Sequence, residues 1–170
     1  METTTQNPVL AHWYYSVEEW EGFNRLEKKT RGEEVLIEAL LIAFLGAALL
    51  HFTRDAHWVI ALAISMVLGT LYAIIRYAMR INALKWRQPA LPEIIITGSS
   101  VIINGNTLDY HSETRWLRKA SLTEKEGKNI LAITYEWQTR KGVTFDEIRV
   151  LVPKGKLKEG MEVLNRLNDL

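Results

Sequence analysis

Apolar and polar positions fall into three regimes along the chain. Between Val35 and Met79 apolar residues are nearly unbroken, in two runs, Val35 to Phe52 and Trp58 to Met79. Each approaches the ~20 residues that cross a ~30 Å hydrocarbon core as a helix. Only Thr53 to His57 separates them, so residues 35–79 read as a transmembrane helical hairpin with its turn at one membrane face. Pro89 and Pro92 then break the chain and mark a domain boundary. Beyond them the period changes to two. Glu93 to Thr97, Ser100 to Ile103, Thr107 to His111, Arg115 to Leu122, Ile130 to Gln138 and Thr144 to Val152 predict about six antiparallel strands. Trp116, Arg118, Ala120 and Leu122 share one face of the fourth, and Leu131, Ile133, Tyr135 and Trp137 share one face of the fifth. Asn104-Gly105-Asn106 carries the signal of a tight hairpin. Lys156 to Leu170 returns to helical spacing, with Leu157, Met161, Leu164 and Leu167 on one stripe. The expected class is an α+β membrane protein: a two-helix transmembrane hairpin, a basic juxtamembrane linker over 80–92, and a small antiparallel β domain with a C-terminal helix over 93–170.

The N-terminal arm, residues 1–34, is the third regime. Met1 to Ala11 is polar and is expected to fray. Ser16-Val17-Glu18-Glu19 has the spacing of a capping box, so a helix starts there. It places Trp20, Phe23 and Glu27 on one side, with Arg25, Lys28 and Lys29 around it. That helix is either a lead-in to the first span packed on the C-terminal domain or a membrane-surface helix with its aromatics among headgroups. No basic segment followed by an apolar core opens the chain, so the first apolar run is expected to be a retained anchor rather than a cleaved signal.

Charge sets the orientation. Arg25, Lys28, Lys29 and Arg31 precede the first span, Arg80, Lys85 and Arg87 follow the second, and the connecting loop holds Arg54 alone. The excess of base near the two outer ends predicts both termini in the cytoplasm. The formal net charge of the whole chain is only +1, which gives no reason to expect nucleic acid as a partner. The absence of cysteine excludes disulfides, thiolate metal sites and a cysteine nucleophile.

Small residues recur at helical spacing in both spans: Ala39, Ala43 and Ala47 on the first, Ala61, Ser65, Gly69 and Ala73 on the second. Such stripes let helix backbones approach closely in lipid. They either join the two helices of one hairpin or mediate a homo-oligomer or a contact with a membrane partner. Glu38 and Arg76 are the ionisable residues inside the apolar boundaries, each about one turn from the cytoplasmic end, and are expected to form a shallow ion pair near Tyr72. His51, Asp55 and His57 flank the turn between the spans; interfacial histidines explain them without a metal. In the C-terminal domain Asp109-Tyr110-His111-Ser112-Glu113 is the densest polar cluster. Strand alternation puts Ser112 opposite Asp109 and His111, which suits an exposed strand end, or an acid–base pair of Asp109 and His111, better than a catalytic triad. No phosphate-binding glycine loop, zinc-protease helix or nucleophile elbow occurs, so neither catalysis, cofactor nor metal is expected.

Two spans followed by a meander containing SVIINGNTLDYHS and ILAITYEW, then EIRVLVPKG and a closing helix, resemble bacterial two-span membrane proteins with a cytoplasmic pleckstrin-homology-like domain, the YcxB-like proteins. The join Val150-Leu151-Val152-Pro153-Lys154-Gly155 ahead of an amphipathic helix is the part most alike. The resemblance implies a partly open β-barrel capped by the last helix, in a multi-pass protein of the bacterial cytoplasmic membrane. Pleckstrin-homology domains that grip inositol phosphates carry base in the loop after the first strand of the domain; that loop here, Thr97-Gly98-Ser99-Ser100, has none. Candidate lipid-facing bases lie instead at Arg80, Lys85, Arg87, Arg115, Arg118 and Lys119, with Lys125, Lys128, Arg140, Lys141, Lys154, Lys156 and Lys158 further along. The expected function is a membrane-anchored interaction or regulatory module with membrane lipid and a membrane or cytoplasmic protein as partners. The alternative is a small oligomeric transport component whose pathway Glu38 and Arg76 line.

Overall fold

The computed structural model describes residues 8–82, 91–140 and 142–169. In chain order the elements are β1 (Val9–Tyr14), α1 (Val17–Arg54), α2 (Trp58–Asn82), β2 (Glu93–Thr97), β3 (Ser100–Ile103), β4 (Asn106–Asp109), β5 (Arg115–Lys125), β6 (Lys128–Thr139), β7 (Gly142–Leu151) and α3 (Leu157–Asn168). The chain is α+β: two long apolar helices, two antiparallel sheets and a C-terminal helix. It clusters into two compact units. One is the helical hairpin from Asn24 onward; the other combines the residues up to Phe23 with the strands and α3.

In the hairpin unit, both helices carry windows of mean hydropathy 2.3, long and apolar enough to cross a membrane. Their small residues face inward. Ala39, Ala43, Ala47, Ala61 and Ser65 are buried, as is Gly69, while Ala73 is half-buried. A Cβ on Gly69 would lie 2.9 Å from the Ala39 carbonyl oxygen and 3.3 Å from the Ala43 Cβ, so the helices cross here at backbone distance. Gly46 makes the matching approach, with Ser65 Oγ 3.0 Å from where its Cβ would be. Leu36, Ile37, Leu40, Leu41, Phe44 and Leu45 of α1 all point outward. Asp55, at φ 53°, turns the chain between the helices.

The β unit corrects the reading of the N-terminal arm. Of Met1 to Ala11, expected to fray, residues 1–7 lie outside the described residues, while Val9 to Ala11 belong to a strand, Val9–Tyr14, paired antiparallel with β2 through His12↔Ile95 and Tyr14↔Glu93. The first sheet has the order β1-β2-β3-β4 and the second β5-β6-β7, giving seven strands among the described residues instead of six. Ala11, Trp13 and Tyr15 alternate inward while His12 and Tyr14 stay out. Trp13 is 0% exposed and its Nε1 donates to Glu159 Oε1 of α3 at 2.8 Å. The Tyr15 hydroxyl donates to the Leu151 carbonyl at 2.5 Å. The capping box forms: Glu19 N donates to Ser16 Oγ at 3.2 Å and Ser16 N to Glu19 Oε2 at 3.4 Å. Trp20 and Phe23 are buried in this unit, Trp20 with its ring 5.4 Å from Tyr15, so these aromatics do not sit among headgroups.

Turn chemistry sets the strand register. Asn104 and Gly105 have φ of 52° and 79°, and Glu126 and Gly127 50° and 70°. These left-handed pairs are the two-residue turns that match sheet twist. Two face assignments change. The β5–β6 register shifts between Leu117 and Lys119, and the extra residue, Arg118, reverses the alternation. Trp116 and Arg118 are therefore exposed while Ala120 is buried. In α3 the buried residues are Gly160, Val163 and Leu167; Leu157 and Met161 are exposed. Gly160 decides this, because its missing side chain lets the helix sit on Val152, whose Cγ1 is 3.0 Å from where a Cβ would be. Asn168 then clasps the edge of β5, accepting from Ala120 N at 2.9 Å and donating to Ala120 O at 3.2 Å.

Candidate functional site

In the hairpin unit the polar side chains gather at one end. Helical spacing puts Glu34 and Glu38 on one face of α1, and Tyr72, Arg76 and Arg80 on one face of α2. Arg80 bridges both acids, with Nη1 3.0 Å from Glu34 Oε2 and Nη2 2.7 Å from Glu38 Oε1. The Tyr72 hydroxyl donates to Glu38 Oε2 at 2.9 Å. Arg76 Nε lies 3.7 Å from the same oxygen, within ion-pair range but without a hydrogen bond. The Glu38–Arg76 pair is thus part of a larger cluster whose best-placed base is Arg80. That residue, a candidate for facing lipid, is turned into the hairpin with its side chain 18% exposed. Two carboxylates and two guanidiniums leave the cluster formally neutral, which is how charge persists at low cost in an apolar setting. The sequence signal for Arg80 was present: it lies one turn beyond Arg76.

At the other end of the hairpin His51 stacks on Trp58 with centroids 4.2 Å apart and its Nδ1 is 2.9 Å from the Ala56 carbonyl oxygen. The Val59 N–H donates to His57 Nδ1 at 3.4 Å. Both histidines close the turn and open α2. Among the described residues no group of three His, Asp or Glu side chains is placed to hold a metal.

In the β unit, Arg115 donates through Nη1 to the Asp109 carbonyl at 2.8 Å and lies 5.8 Å from the Tyr135 ring centroid. Arg118 pairs with Glu136 at 3.0 Å and covers the Phe145 ring at 4.7 Å. Lys119 is exposed. Lys85, Arg87 and Lys141 lie outside the described residues. The loop after β2 spends its polar groups on itself: Ser99 N and Ser100 N donate to Thr97 Oγ1, at 3.3 and 3.0 Å. Asp109 ends β4 and His111 is exposed just beyond it, its N–H donating to the Ser99 carbonyl at 3.0 Å. The residue between them, Tyr110, is fully buried and its hydroxyl donates to the Thr97 carbonyl. Burial holds that hydroxyl well above the ordinary phenol range. Burial, helped by the nearby Glu19 and Glu159 carboxylates, does the same to Tyr15. Neither is a proton-transfer group near neutral pH.

No family model, no curated protein and no solved structure matches this chain.

Proposed function

We propose that the chain is a membrane-anchored interaction module of a bacterial cytoplasmic membrane, with both termini on the cytoplasmic side. The observation that carries this reading is the inside-out hairpin: alanine, serine and glycine inside, and Leu36, Ile37, Leu40, Phe44 and Leu45 outside. Lipid satisfies such a surface and water does not. Basic residues near both outer ends of the helices orient it. The β unit, by contrast, has a core of large side chains, among them Trp13, Ile94, Ile96, Leu131 and Ile133. Its sheets of four and three strands with a closing helix support a pleckstrin-homology-like architecture of the YcxB-like kind, with one variation: the first strand precedes the two helices. The open edges β4 and β7 are docking sites for an extended segment of a protein partner.

The transport alternative draws little support from the hairpin. Its small-residue stripes are consumed within one hairpin, and Glu38 and Arg76 are held in a neutral cluster rather than lining a path. The deciding experiment recovers the tagged chain from its own membranes in mild detergent and identifies associated proteins by mass spectrometry. A stoichiometric partner that is absent from the hairpin alone, residues 24–82, is the expected result. Self-association retained by the hairpin alone, with no other protein present, would favour the transport reading.

A further inference from the structure

The outer face of the β5-β6-β7 sheet carries a second feature. Trp116 pairs with Glu136 and Glu136 with Phe145, so one cross-strand row runs Trp116, Glu136, Phe145. Directly opposed residues point to the same face. Val143, two positions before Phe145 on β7, joins them. Trp116, Val143 and Phe145 are 43%, 52% and 52% exposed: three large apolar side chains, uncovered, on one face of a hydrogen-bonded sheet. The acid in the row is neutralised. Arg118 reaches Glu136 Oε2 at 3.0 Å while its guanidinium covers the Phe145 ring. The bulge that displaces Arg118 is what brings it over this row. Lys119 and Arg140 at the margin are exposed and make no ion pair among the described residues.

An apolar centre with an indole, an acid already paired and a margin of unpaired cations is complementary to an anionic lipid surface. The indole and phenyl rings suit the headgroup boundary, and each nearby cation adds about 1 kcal/mol of attraction to anionic lipid. A protein partner seated here would bury Lys119 and Arg140 against carboxylates of its own, a requirement a bilayer does not impose. Residues 83–92 join α2 to β2, a strand of the compact unit that contains this sheet, which keeps the sheet at high effective concentration next to whatever α2 is embedded in. We propose that this face is a peripheral membrane-contact surface: Trp116, Val143 and Phe145 lie among the headgroups of an anionic bilayer, with Arg118, Lys119 and Arg140 at its rim. The proposal rests on the membrane reading of the hairpin.

The chain has no cysteine, so one substitution creates a unique labelling site. The full chain is reconstituted in lipid nanodiscs containing anionic lipid, carrying an environment-sensitive fluorophore at Phe145→Cys or Val143→Cys. Lys158→Cys on α3 serves as a solvent control and Leu45→Cys as a lipid control. Quenching by lipid-borne spin labels at 143 and 145 is expected at about three times the level at 158, falling toward that level in high salt. Quenching of 143 and 145 by a water-borne reagent alone, as at 158, would overturn the proposal. So would protection from both reagents, which marks a protein contact. Lipid-borne quenching at 45 without it at 143 and 145 refutes this face only; its absence at 45 refutes the membrane reading with it.

Discussion

The two units use the same apolar residue types in opposite ways. In the hairpin the contact between helices is made by alanine, serine and glycine, and Phe44 and Leu45 face outward. In the β unit the interior is filled instead by large side chains, Trp13, Ile94, Ile96, Leu131 and Ile133, all withdrawn from solvent. On the membrane reading proposed above, the difference follows from the surrounding medium. In water, burying a large side chain stabilises by roughly 2–3 kcal/mol through area removed from solvent. In lipid that term vanishes between helices, and close backbone approach supplies dispersion contacts instead. A position's tolerance to substitution is therefore reversed between the units: the β core suffers from truncation and the hairpin from enlargement.

The largest effect tests the β half of this contrast. Trp13→Ala removes a fully buried indole and its bond to Glu159, at a cost of about 3–5 kcal/mol. Denaturant unfolding of the detergent-solubilised chain, followed by near-ultraviolet circular dichroism, is expected to show a lower midpoint for the β unit. The hairpin helices, followed in the far ultraviolet, should stay folded. Simultaneous loss of both signals would mean that the units do not unfold separately. The hairpin half is tested by addition. Gly69→Val drives a branched side chain against the Ala39 carbonyl and the Ala43 methyl, a cost of about 1–3 kcal/mol. Wider separation of spin labels at Ala63→Cys and Leu40→Cys is the expected readout. An unchanged distance would show that the glycine contact does not hold the hairpin together.

Much of this contrast was readable in the chain, and the parts that were not share a cause. The hairpin was legible because its signal is local and long, and the stripe of small residues at every fourth position offered the contact between its helices as one of two readings, the other being a contact with a second chain. The turns at Asn104-Gly105 and Gly127 were legible because left-handed backbone restricts residue choice. β1 was missed although Ala11, Trp13 and Tyr15 alternate with His12 and Tyr14: its partner, β2, lies some eighty positions away, beyond both helices, and short strands declare themselves through neighbours. The exposed Trp116 was hidden by the bulge at Arg118, which breaks the alternation that strand reading relies on. The buried face of α3 was misplaced because Gly160, with no side chain to count as apolar, makes the closest approach. Arg80 was assigned to lipid because its partners lie on another helix. Each miss is a long-range pairing or a local break of period.

The smallest effect concerns hydroxyls, and it separates the units by pH. Tyr15 and Tyr110 are buried in the β unit, with hydroxyls donating to the carbonyls of Leu151 and Thr97. Burial raises both above the ordinary tyrosine value of about 10. A group whose folded value is raised contributes stability that is complete below its unfolded value and is lost as pH rises toward the folded one. Both therefore leave the β unit unaffected through neutral pH and destabilise it progressively above about pH 10, by under about 1 kcal/mol each at pH 10.5. Tyr15→Phe removes one contributor, so its unfolding midpoint should start lower at pH 7 and fall less steeply between pH 9 and 11 (roughly the titration range of free tyrosine). A slope identical to that of the unaltered chain would show that Tyr15 reaches solvent in the folded state, and that the first strand is held less tightly against Leu151 than its hydrogen bond implies.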